Sequence, residues 1–213
     1  MKKKVIEPAI SSDLLEQDFV SLMDEEDPII ENALIKDCTI TIDSIKNIEF
    51  KNVIFENVIF DYFSVPNAYF RDVKFDHCQC INAEIHESGL KRVEFLQCRM
   101  NGASFGDSFL EDVQFKSCMM DLANFAYSKH KNVVFNASQL KESDFYENTF
   151  QHIYFEQCEL SGIRFLNTSL KGIDLRTSTF DGITVDTENI KGVIVTNEQA
   201  LGFLQLLGLV IKD

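Results

Sequence analysis

Tryptophan is absent from this 213-residue chain, and it has only three prolines and nine glycines, whereas phenylalanine takes 19 positions. Aromatic usage this lopsided excludes the mixed core of an ordinary globular domain and points to a structural repeat. No run of 18 apolar residues occurs, and the lysines at 2–4 are followed by no apolar stretch long enough for a signal segment. Neither membrane insertion nor secretion is indicated, so a cytoplasmic protein with its six cysteines as free thiols is expected. Basic residues are also scarce: 20 lysines and arginines face 34 aspartates and glutamates, for a net charge of −14. Direct nucleic acid binding is disfavoured, because phosphate contacts need cations that displace counterions, and a basic partner is the better electrostatic match.

Fifteen of the 19 phenylalanines fall at positions divisible by five. From Ile35 to Val195 every fifth residue is apolar except His130, with no insertion or deletion. Two residues before each centre runs a second, smaller beat, as in Val113, Cys118, Ala123, Ser128 and Val133. Neither a helix of period 3.6 nor a strand of period 2 produces this, but a chain that turns a corner every five residues does. Four corners close a coil, so the small beat must itself recur every 20 residues. It does: Val53, Val73, Val93 and Val113 form one file, and Cys78, Cys98, Cys118 and Ser138 the next. Ala83, Ala103 and Ala123 form a third, and Ser88, Ser108 and Ser128 a fourth. These are the valine, cysteine, alanine and serine faces. Coils stacked at about 4.8 Å pair backbone with the coil above and below, so about eight coils give an all-β rod of roughly 40 Å.

Such a rod has two open ends that must be covered. Three regions are therefore expected: an N-terminal cap segment over 1–30, the solenoid over 31–195, and a C-terminal helix and strand over 196–213. "SSDLLEQDFVSLM", residues 11–23, reads as an amphipathic cap. In "TNEQALGFLQLLG", Thr196 is placed as N-cap with Gln199 three residues on, followed by an apolar stripe and a stop at Gly208. No other apolar segment is left to cover Ala200, Phe203, Leu204, Leu207, Leu209 and Ile211, so a homodimer interface is expected there.

The units "CRMNG", "ASFGD", "CELSG", "TSLKG" and "STFDG" resemble the A(D/N)LXX motif of pentapeptide-repeat proteins over about three quarters of the chain. The resemblance implies a right-handed quadrilateral β-helix with a short C-terminal helix. Within that family the chain is most similar to the Qnr-type proteins of Gram-positive bacteria and the mycobacterial MfpA. That likeness implies a dimer joined at the C-termini that mimics DNA, binds DNA gyrase and topoisomerase IV, and protects them from fluoroquinolones. The loops that interrupt the Gram-negative members have no room in the unbroken register here.

Charge is segregated by face. Glu84, Glu87, Asp107, Asp144, Glu147 and Asp186 flank the alanine-face centres, against Arg164 and His86. These acids are the candidate partner-binding residues. Lys51, Arg71, Lys91, Arg92, Lys129, Lys131, His152, Lys171 and Lys191 mark the serine face instead. An alternative reading is a scaffold that binds another cytosolic partner through the same acidic side.

No phosphate-binding loop, nucleophile elbow or paired-histidine helix is present, and a convex rod with a filled interior is expected to hold no concave site. An enzyme is not expected, nor a cofactor. Cys78, Cys80 and Cys98 lack four convergent ligands, so no metal is expected and the thiols read as small buried groups. For His130 two placements are open: inward, hydrogen-bonded to Ser128 or Asn148, or outward in a bulge with Lys129 and Lys131.

Overall fold

The period of five is a backbone event. In a computed structural model that describes residues 3–22 and 28–204, the residue two after most centres takes a positive φ, as at Asn82 (55°), Glu87 (57°), Arg92 (52°) and Gln97 (52°). This left-handed conformation turns the chain, and asparagine, aspartate and glycine tolerate it best. Hence the recurrence of Asn47, Asn52, Asn57, Asn67, Asp72, Asp107, Asp112 and Asn132 at these corners. Leu122 and Tyr127 adopt it too, at 63° and 61°, so the stacking of coils overrides local preference.

In chain order the elements are β1 (Leu15–Glu16), α1 (Phe19–Leu22), β2 (Ile29–Lys36), β3 (Thr39–Ile42), β4 (Glu49–Glu56), β5 (Ile59–Phe63) and β6 (Tyr69–Asp76). Then follow β7 (Gly89–Leu96), β8 (Phe109–Lys116), β9 (Lys129–Asn136), β10 (Thr149–Glu156), β11 (Ile163–Arg164), β12 (Ile183–Thr184) and α2 (Asn197–Leu204). One parallel sheet takes β1, β2, β4, β6, β7, β8, β9 and β10 in that order. Its long strands wrap the corner between the serine and valine faces. Lys91 pairs with Glu111 and Val93 with Val113, while the left-handed residue between them is skipped. On the other two faces coils meet through single bridges, such as Gln79 to Arg99 to Met119 and Ser64 to Glu84 to Ser104. The result is a right-handed quadrilateral β-helix of about eight turns with one short C-terminal helix.

Through the middle of the rod each coil adds one phenylalanine ring to each of two core ladders. Phe75, Phe95, Phe115 and Phe135 stack face to face at 4.8, 4.9 and 4.8 Å, and Phe105, Phe125 and Phe145 at 5.0 and 4.7 Å. The two stacks meet edge to face, as at Phe115 and Phe125 (6.0 Å, 81°). Ring pairs in these geometries add about 0.5–1.5 kcal/mol each beyond burial. The small beat does a second job. Cys98 Sγ donates to the Phe75 carbonyl at 3.4 Å, Ser138 Oγ to Phe115 at 3.3 Å and Ser108 Oγ to Ile85 at 3.1 Å. Serine and cysteine therefore alternate freely in one file, because both fit the gap and both satisfy the carbonyl 23 residues earlier. All six thiols are free, and burial pushes Cys158 up to about 11 and Cys80 well above its ordinary value.

Among the described residues the register expected to run unbroken slips once. Between Ile40 and Thr41 the pairing with β5 shifts by one residue, and the left-handed corner moves to Ser44. At this place Phe63, a large ring in the file that elsewhere holds Ala83, Ala103 and Ala123, pairs with buried Ile42 and packs 4.3 Å from Phe60.

At the C-terminal end Thr196 and Gln199 exchange hydrogen bonds of 3.0 and 3.2 Å, a capping box. Gln199 Nε2 also donates to the Leu175 and Ser178 carbonyls at 2.9 and 2.8 Å, satisfying acceptors of the last coil. Phe203 lies edge-on to Phe180 at 5.9 Å. Leu207, Leu209 and Ile211, with the strand expected after Gly208, lie outside the described residues. At the other end β1 pairs with β2 and Phe19 is buried, but residues 3–11 cover no end. They run along the flank of the rod, a placement that the sequence reading did not foresee.

Candidate protein-interaction surface

The corner between the alanine and serine faces carries the column Glu87, Asp107, Tyr127, Glu147 and Asn167, one residue per coil. Their φ values of 57°, 56°, 61°, 53° and 56° give each side chain the same direction. Glu87, Asp107 and Glu147 are exposed, and among the described residues Asp107 and Glu147 make no ion pair. Glu84 and Asp144 sit one column away on the alanine face, where Glu84 accepts from Ser64 Oγ at 2.6 Å. Asp144 is half-buried and faces Arg164 at 3.4 Å. Asp186 ends the column, its carboxylate accepting from the Asn167 backbone N–H at 2.6 Å and from Asn189 Nδ2 at 3.0 Å. These donors, the Asn167 amide first, hold its carboxyl below the usual range.

Glu87 to Glu147 spans three coils, about 14 Å, so with Glu84 and Asp144 the patch carries about one carboxylate per 3 Å; duplex DNA carries about one charge per 1.7 Å. Tyr127, inside the column, registers this field. Its hydroxyl is pushed above its ordinary value by desolvation, then by Tyr146 and by the charges of Glu147, Asp107 and Asp144. Tyr127 was not among the residues singled out from the sequence, although its place at the 20-residue spacing from Asp107 and Glu147 is the signal that finds it.

The basic residues of the serine face behave differently. Lys91 and Lys131 hold Glu111 at 3.1 and 2.5 Å, Arg92 holds Asp72 at 2.5 Å, Lys51 holds Glu49 at 2.7 Å, and Lys191 holds Glu188. Lys131 first, then Lys91, keeps the Glu111 carboxyl below its usual range. Most of the lysine stripe is thus held in ion pairs, whereas Asp107 and Glu147 at the acidic corner are in none among the described residues.

His130 points inward, 1% exposed, stacked between Leu110 and Phe150. Its Nε2 meets Asn148 Oδ1 at 2.7 Å, while Ser128 Oγ donates instead to the Phe105 carbonyl. Nδ1 has no hydrogen-bond partner among the described residues, and burial lowers the pKa to about 4.

The rod also has a concavity, contrary to expectation: a cleft of about 1060 Å³ between β10 and residues 169–177. Its origin is a missing rung. Leu170, Gly172 and Leu175 donate backbone hydrogen bonds upward to Asn189, Gly192 and Ile194, but among the described residues none joins 169–176 to 149–156. The opening is pinned on both sides, by Asn148 N to Thr168 Oγ1 (2.8 Å) and Gln157 N to Thr177 Oγ1 (3.3 Å). Among the described residues no group of three or more histidine, cysteine or acidic side chains is arranged to hold a metal ion, and no helix is long and apolar enough to cross a membrane.

The profile described as "pentapeptide repeat region" matches residues 29–105, 88–165 and 108–193. The chain belongs to that family. Among solved pentapeptide-repeat structures it is similar to a trypsin-treated variant of QnrB1, a plasmid-mediated fluoroquinolone resistance protein. The two share 20% identity over 90% of this chain and 95% of that one, with a TM-score of 0.35. HetL, involved in heterocyst differentiation regulation in the cyanobacterium Nostoc sp. strain PCC 7120, shares 10% over 78% and 84%, with a TM-score of 0.41. No curated protein matches the chain. At these identities the neighbours carry no argument about function.

Proposed function

We propose that this pentapeptide-repeat chain is a non-enzymatic DNA mimic that binds DNA gyrase and topoisomerase IV in the cytoplasm and protects them from fluoroquinolones. The observation that carries the reading is the asymmetry of compensation. Glu84, Glu87, Asp107, Asp144, Glu147 and Asp186 stand on one side of the rod with few cations near them, while most of the lysines and arginines next door are in ion pairs. A column of carboxylates on a stiff rod offers a DNA-binding saddle the sign of a phosphate backbone, at about half its charge density, without the groove or the bases. No cofactor takes part.

Two rods joined end to end would lengthen the acidic track. Ala200, Phe203 and Leu204 are half-buried on α2 and Leu201 is 56% exposed, so the helix leaves apolar surface for a second copy. The proposed interface continues through Leu207, Leu209 and Ile211. Sedimentation at micromolar protein should give a dimer, and a monomer would remove this part of the proposal.

A cleavage assay with purified gyrase or topoisomerase IV and a fluoroquinolone tests the function. Added protein should reduce drug-trapped double-strand breaks, and reversal of Glu84, Glu87, Asp144 and Glu147 to lysine should abolish the effect while the fold persists. An unchanged level of breaks would favour the second reading, a scaffold that offers the same acidic corner to another basic partner.

A further inference from the structure

The corner between the serine and valine faces is covered by the chain's own N-terminal residues. Residues 3–11 lie extended along the rod axis, crossing the coils from Tyr154 back to Asn52, opposite in sense to the order of the repeats. They are held by the corner column Asn52, Asp72, Asp112 and Asn132, the left-handed residues that recur every 20 positions. Asn52 Oδ1 accepts from Ser11 N at 2.8 Å, Asp72 Oδ1 from Ala9 N at 2.8 Å and Asp112 Oδ1 from Ile6 N at 3.1 Å. Asn132 Nδ2 donates to the Lys4 carbonyl at 3.1 Å, and Lys3 N donates to Tyr154 Oη at 3.0 Å.

Every one of these contacts is to the backbone of the strap. The column is therefore a reader of extended main chain, and side-chain demand is minimal. Val5 is the one strap residue that is buried, at 6%, while Lys3, Lys4, Ile6 and Glu7 are exposed. The reading groups are also held by partners other than the strap. Asp72 is fixed by Arg92 through two hydrogen bonds of 2.6 and 2.5 Å, Asn52 donates to Asn32 Oδ1 at 2.7 Å, and Asn132 donates to Asp112. Preorganised groups facing a segment held by five main-chain hydrogen bonds and one buried side chain are the arrangement of a docking groove.

The strap does not saturate it. Asn132 Oδ1 is buried and, among the described residues, has no hydrogen-bond partner. Tyr154, at the Lys3 end, also lines the cleft above β10, so this end of the groove lies at the rim of the cleft. The strap is lysine-led at that end, and the acceptors along the groove include the carboxylates of Asp72 and Asp112.

We propose that the serine–valine corner is a docking groove for an extended, lysine-led peptide of a partner protein, occupied in the isolated chain by residues 3–11. The partner segment needs a small apolar residue at the Val5 position and free backbone N–H groups where Ile6, Ala9 and Ser11 donate. It displaces the strap in exchange, so apparent affinity scales with the fraction of time the strap is open.

The test uses the full-length chain and a fluorescein-labelled synthetic peptide of residues 3–13, read by anisotropy, with hydrogen exchange following the amides of Ile6, Ala9 and Ser11. Val5→Asp removes the apolar anchor and should deprotect those three amides with the rod intact. The peptide should then bind the variant at least about tenfold more tightly than the wild type, as expected when a strap closed about nine-tenths of the time no longer competes. Adding Asp112→Ala should weaken binding again, and a peptide carrying aspartate at the valine position should not bind. Equal binding to wild type and variant, or none to a deprotected variant, would overturn the proposal. Amides that stay protected in Val5→Asp would overturn it as well, because the strap would then not be exchangeable.

Discussion

Residues 87, 107, 127 and 147 at one corner and 72, 92, 112 and 132 at the next share the same left-handed backbone, with φ between 52° and 61°. Both columns advance one residue per coil, and both border the serine face. Yet Glu87, Asp107 and Glu147 stand in solvent, while Asp72, Asp112 and Asn132 are buried under a strap and bonded to one another or to Arg92. The repeat sets where a corner side chain points and is indifferent to its chemistry. One corner thus presents charge outward and the other reads a peptide backbone, on a common scaffold.

The largest effect should come from breaking what the two corners share. Phe125→Ala removes a ring that stacks with Phe105 and Phe145 and meets Phe115 and Phe135 edge-on. Denaturant unfolding should register a loss of about 3–5 kcal/mol, with both corners losing order together.

Acid is the next probe. His130 lies between the corners with its pKa lowered to about 4 by burial, against an ordinary 6.5. The unfolded chain therefore binds the extra proton first, and stability is full above pH 6.5 and falls as pH drops toward 4, by up to about 3 kcal/mol from this group. The pH dependence of unfolding should flatten over that window in His130→Leu.

A sharper comparison takes one acid from each corner. Asp72→Ala strands Arg92, whose side chain is 18% exposed, and releases the Ala9 amide, so about 1–3 kcal/mol should be lost. Asp107→Ala, with no ion pair among the described residues, should stay within about 0.5 kcal/mol. Equal costs at the two positions would contradict the difference drawn between the columns. Smallest of all, Glu147→Gln should raise stability by a few tenths of a kcal/mol at low salt by relieving repulsion, and the gain should vanish at high ionic strength.

The solenoid is legible because its signal is redundant: each face repeats its residue type every 20 positions, and thirty-odd centres agree on one period. The acidic column is legible for the same reason, as is the capping box at Thr196 and Gln199. What stayed hidden has no period. The strap binds through its backbone, which leaves no pattern in residues 3–11 beyond a single buried valine. The cleft arises from a missing rung between "FQHIYF" and "LKGIDL", and both stretches keep the five-residue beat. Phe63 stands in the sequence as a large residue in a small-residue file, but the one-residue slip beside it leaves no mark on the five-residue beat.

Competition for gyrase between this protein and a fluorescent DNA duplex tests the central claim most directly. Wild-type protein should displace the duplex at micromolar concentration, the Lys91→Ala/Lys131→Ala variant should do so equally well, and Glu87→Lys/Asp107→Lys/Glu147→Lys should lose at least about tenfold. Failure of the wild type to displace the duplex, or displacement by the lysine-substituted corner as strong as by the acidic one, would contradict the account.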